Sequence, residues 1–93
     1  MRRYLLYVPL DYNTEAYIFY PLPRVARVVK ILGMINAVPD FETHNKVLDG
    51  ASDLFYEAFG PDIGCHGRSS VGIAGLVANQ PVEIEGIFLI HDE

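Results

Sequence analysis

Four side chains in the second half of the sequence have the types and spacing to do chemistry. Arg68 opens a Gly-Arg-Ser-Ser-Val-Gly run. A planar guanidinium can hold a ligand carboxylate through two parallel hydrogen bonds, and at a strand start it can equally pair with an Asp or Glu of its own chain. Ser70 follows two residues later, on the same face of an extended strand, where it would line the same cleft or sit as a satisfied strand serine. Glu83 stands in Val-Glu-Ile-Glu, where a strand carboxylate ordinarily meets solvent, as Glu85 beside it would. Asp53 belongs to a helical stretch, where an aspartate ordinarily meets solvent. Cys65-His66 invites a thiol–imidazole nucleophile, but adjacent residues on an extended loop rarely face each other and no orienting acid is evident. His44, His66 and His91 lack zinc-ligand spacing, and the glycines of residues 60–75 lack a phosphate-loop pattern.

The elements that must position these residues follow from periodicity. Residues 82–91 are the clearest strand, with Val82, Ile84, Gly86, Phe88 and Ile90 alternating with Glu83, Glu85, Ile87, Leu89 and His91. Residues 67–76 form a second extended run, and the Asn79/Pro81 connection predicts an antiparallel hairpin. With its turn near Asn79, Glu83 pairs near Gly75, and Arg68 lies about seven residues further on, roughly 20 Å at strand rise. Within one chain the two could then share a substrate only if the strand bends sharply, whereas across a subunit boundary they could meet. Residues 24–38 are β-branched with apolar side chains on both alternating faces, the pattern of a central strand buried on both sides. Residues 45–59 read as the helix, with Val47, Ala51, Leu54 and Ala58 as its inward stripe, widened by Leu48, Phe55 and Phe59, and Gly60-Pro61 as its stop. Gly50 inside it implies close packing or a kink. Residues 3–9 and 16–20 read as an N-terminal hairpin, whose tyrosines fit amphipathic strand packing better than base stacking.

Composition narrows the function classes. The 93 residues suffice for one domain, 1–93, and its modest core favours self-association. The net charge of −5 and scattered Lys and Arg do not suggest phosphate-driven nucleic-acid binding. One cysteine, Cys65, fits a reducing compartment. No apolar run reaches membrane-spanning length and the N-terminus lacks a signal-peptide cleavage site, so the cytoplasm is expected.

His66-Gly67-Arg68-Ser69-Ser70-Val71-Gly72, followed by Val82-Glu83-Ile84-Glu85-Gly86-Ile87, resembles the C-terminal signature of the YjgF/Rid family, also called endoribonuclease L-PSP-like. Lys46 to Leu54 with Ala58-Phe59-Gly60 is similar to the helix of its chorismate-mutase-like branch, and residues 24–41 to its central strand and following loop. The resemblance covers residues 24–91. Residues 1–23 lack the family's Ser-Gly-Gln turn and first long helix, which implies an N-terminally truncated or divergent member. The resemblance further implies an α+β fold, a mixed sheet with one face packed by helix 45–59, assembled as a homotrimer with sites in intersubunit clefts. It implies a deaminase that hydrolyses small 2-imino or enamine acids to 2-oxo acids and ammonia, with no cofactor because the imine carbon is already electrophilic. Arg68 would clamp the carboxylate, Ser70 and Asp53 would line the site, and Glu83 would place the water. The alternative is a non-catalytic trimeric module that binds a small carboxylate-bearing molecule, or a truncated remnant of the family with no site.

Overall fold

The computed structural model describes the backbone of residues 3–10 and the whole of residues 24–91. These run as β1 (Arg3–Leu10), β2 (Val25–Asn36), α1 (His44–Ile63), β3 (Gly67–Ile73), one 3-10 turn (Val77–Asn79) and β4 (Val82–His91). The described strands form one four-stranded mixed sheet in the order β1-β4-β2-β3. β4 is antiparallel to β1 and β2, whereas β3 is parallel to β2. Parallel neighbours need a long crossover, and α1 supplies it.

The hairpin expected over residues 67–91 does not form, because β2 lies between β3 and β4. Residues 74–81 step across the end of β2 instead. Asn36, the last residue of β2, holds that step. Its backbone N–H donates to the Pro81 carbonyl at 2.9 Å, and its Nδ2 donates to Asn79 Oδ1 at 3.0 Å and the Gln80 carbonyl at 3.2 Å. Ala78 and Asn79 take left-handed φ values of 54° and 55° to turn the chain there. The turn residues look the same locally whether the strands they join pair with each other or with a third strand, so the pairing is a non-local choice. At the N-terminus, β1 pairs with β4 from Arg3↔His91 to Leu10↔Ile84. The strand expected at residues 16–20 lies outside the described residues.

The expected helix is present, but its buried stripe is rotated. Leu48 and Ser52 are buried, and Ala51, Phe55, Phe59 and Ile63 pack on the core, while Val47 and Leu54 are exposed. Apolar residues surround most of this helix, and the bulkier ring side chains and Leu48 take the sheet face in preference to Val47 and Ala58. Regular helix ends at Gly60, whose φ of 85° breaks the ladder, and the chain then makes one further turn through Pro61–Ile63. Gly50 is neither kinked nor closely packed, since a Cβ there would meet nothing within 4 Å.

Val25, Val28, Ile31, Leu48, Phe88 and Ile90 form the core between α1 and the sheet. Register shifts between Val25/Arg27 and Val28/Lys30 keep these β2 residues on one face. Gly33 lets α1 descend onto β2: a Cβ at this position would lie 2.6 Å from Leu48 Cδ1. β2 is central as expected, but only its helix side is buried; Leu32 and Met34 on the other side are half-buried and Lys30 is exposed. Among the described residues no helix is long and apolar enough to cross a membrane.

Candidate functional site

The β2–β3 register places Arg68 opposite Ile31, a core residue, so the Arg68 side chain rises on the helix side of the sheet. There it meets α1. Asp49, Ser52, Asp53 and Tyr56 fall within two turns of helix, at spacings that share one flank. Together with His66 and Arg68 they line an open cleft of about 320 Å³.

The polar side chains of this cleft are linked in series. The His66 Nδ1 lies on the Gly64 carbonyl, which can only accept, so Nδ1 carries the hydrogen. In the neutral ring Nε2 is then an acceptor, and it receives the Ser52 hydroxyl at 2.9 Å. The Ser52 oxygen in turn accepts Arg68 Nη1 at 3.0 Å. Arg68 Nη2 reaches Asp49 Oδ1 at 2.7 Å. Ser52 is only 6% exposed. The His66 ring is set edge-on to Phe55, with centroids 5.8 Å apart, and tilted against Tyr56 at 5.3 Å. One side of the guanidinium is therefore anchored to a buried, packed relay. Its other contact is an exposed ion pair, with the Arg68 and Asp49 side chains 31% and 54% accessible. Such pairs contribute about 0–1 kcal/mol, so the Asp49 contact adds little to what holds Arg68 in place.

The residues singled out by type divide between the two faces of the sheet. Arg68 and Asp53 line the same cleft. Ser70 sits opposite Gly33 on the same face, half-buried, one strand repeat beyond Arg68. Glu83 pairs with Met34, and lies on the opposite face with Glu85 and Ile87. Arg68 and Glu83 are thus kept apart within one chain by the sheet itself, not by the hairpin register anticipated above. Cys65 is exposed, and the ring nitrogens of His66 are directed to Ser52 and Gly64 rather than to its thiol. Among the described residues no group of three or more His, Cys, Asp or Glu is placed to hold a metal ion. Asp49, Ser52 and His66 were not anticipated as partners of Arg68. The i, i+3 spacing of Asp49 and Ser52 was the available signal, but it becomes meaningful only once β3 is known to lie beside the helix.

No protein-family model matches the sequence. The chain is 41% identical over 71 residues to "Protein TCP17" of Trypanosoma cruzi, a match covering 76% of this chain and 44% of that protein. Among solved structures, it is similar to Atu1372 of Agrobacterium tumefaciens, a protein of unknown function, with a TM-score of 0.72 and 38% identity over 75% of this chain and 43% of the other. It is also similar to a protein of Shewanella oneidensis described as a putative endoribonuclease, with a TM-score of 0.67 and 29% identity over 74% of this chain and 44% of the other. The chain thus spans less than half the length of each of these proteins. The likenesses support the YjgF-like fold that the sequence resemblance implies.

Proposed function

We propose that the chain is a subunit of a YjgF-like homotrimer that binds a small carboxylate-bearing ligand through Arg68, and that this ligand is a 2-imino or enamine acid hydrolysed to its 2-oxo acid and ammonia. The observation that carries this reading is the state of Arg68. Its guanidinium faces an open cleft, with Nη1 anchored to buried Ser52 and Nη2 engaged by a weakly held, exposed carboxylate. A guanidinium oriented in this way is prepared for carboxylate exchange. In the reaction, water adds to the imine carbon and the C–N bond of the resulting carbinolamine breaks, releasing ammonia. Glu83 would place that water. Because it lies on the other face of the sheet from Arg68, a complete site needs Glu83 of one copy near Arg68 of another. The half-buried Leu32, Met34, Ile87 and Leu89 beside Glu83 favour such an assembly. The separation of Arg68 from Glu83 also favours the second reading, a trimeric binding module without catalysis.

Ammonia release from enzymatically generated iminobutanoate tests the choice. The deaminase reading expects turnover above buffer that is lost in both Arg68→Ala and Glu83→Ala. Turnover at the buffer rate, with 2-oxobutanoate binding that still depends on Arg68, selects the binding module. Binding and turnover that are indifferent to Arg68 would sink both.

A further inference from the structure

Arg68 and Asp49 present opposite charges side by side on one wall of the cleft, 2.7 Å apart and open to solvent. From this juxtaposition we propose that the pair recognises an α-amino acid zwitterion, with Asp49 as the specificity-determining residue. The inference rests on the reading of Arg68 as a carboxylate clamp.

An α-amino acid carries a carboxylate and, one carbon away, an ammonium group. Its carboxylate takes the place of Asp49 on Arg68 Nη2, while Nη1 stays fixed by Ser52 and, behind it, His66. The displaced Asp49 carboxylate still lines the cleft beside Arg68, where it can meet the ligand's ammonium. An ammonium there restores its lost ion pair. A 2-oxo acid of the same size brings a carbonyl oxygen to that place, so Asp49 is left facing an acceptor without a partner. Because Asp49 is half exposed, water can still pair it, so the discrimination is of the size of an exposed ion pair. Asp53, on the same cleft wall, adds negative potential of the same sign and works in the same direction.

Isothermal titration calorimetry with 2-aminobutanoate and 2-oxobutanoate separates the possibilities. For the unmodified chain, 2-aminobutanoate is expected to bind about two- to fivefold tighter than 2-oxobutanoate. Asp49→Asn should abolish that preference, chiefly by weakening the amino acid and strengthening the oxo acid, with circular dichroism unchanged. Arg68→Ala should lose both ligands. Oxo-acid binding that depends on Arg68, with no preference for the amino acid or with a preference that survives Asp49→Asn, overturns the zwitterion assignment and leaves the clamp standing. Binding of neither ligand to the unmodified chain overturns the clamp and this inference together.

Discussion

On the helix side of the sheet, Val28, Ile31 and Leu48 are fully buried and Phe88 and Ile90 nearly so. On the other side, the same two central strands present Lys30, Leu32, Met34, Glu83, Glu85, Ile87 and Leu89, which are half-buried or exposed. The first face is completed within the chain by α1. It can carry a polar cleft at its margin because the hydrophobic work is done a few ångströms away. The second runs along β4 from acidic Glu83 and Glu85 to apolar Ile87 and Leu89, and α1 lies across the sheet from it. Burying a large apolar side chain is worth roughly 1.5–3 kcal/mol, so four of them on an open face would reward contact with another chain by as much as a small domain's whole stability. The contrast separates two roles: the helix face sets how the chain folds and orients Arg68, and the other face is the one offered to the proposed assembly.

Disrupting the helix face should have the largest effect. Leu48→Ala removes a fully buried side chain that bridges α1 to β2 at Gly33. It should cost about 2–5 kcal/mol in denaturant unfolding. A loss under about 1 kcal/mol would mean that α1 is not docked as described.

Charging the open face should act on assembly rather than on folding. Ile87→Asp is expected to turn the proposed trimer into a monomer in light scattering at micromolar concentration, while the isolated subunit keeps its helix content. A monodisperse monomer before any substitution would assign the cover of this face to the chain's own N-terminal segment.

Arg68→Ala removes only an exposed ion pair and one hydrogen bond to Ser52. Stability should fall by about 1 kcal/mol or less, against a loss of at least about tenfold in carboxylate binding. A stability loss of several kcal/mol with binding unchanged would make the relay a structural element alone.

The smallest effect expected is a gain. Gly50 lies on the outer side of α1 with open space around its Cα. Gly50→Ala should raise stability by about 0.5–1 kcal/mol in thermal unfolding and leave assembly and binding untouched.

By itself the sequence determined the elements whose signals are local. β4 was legible from its alternation, β2 from its β-branched run, β1 from Tyr, Leu and Val at residues 3–9, and the end of regular helix from Gly60-Pro61, because side-chain period and backbone restriction act within a few residues. It also singled out Arg68 at a strand start, leaving open whether a ligand carboxylate or an acid of its own chain is its partner. Tertiary structure decided which strands are neighbours, since the stretch between β3 and β4 fits a hairpin turn and a step across β2 equally well. It decided which flank of α1 is inward, because Val47, Leu48, Leu54 and Phe55 compete for one sheet face and only packing against Gly33 and Phe88 selects among them. And it decided the composition of the cleft. Asp49, Ser52 and His66 acquire meaning only when a parallel strand brings Arg68 alongside the helix, a contact that no local pattern encodes.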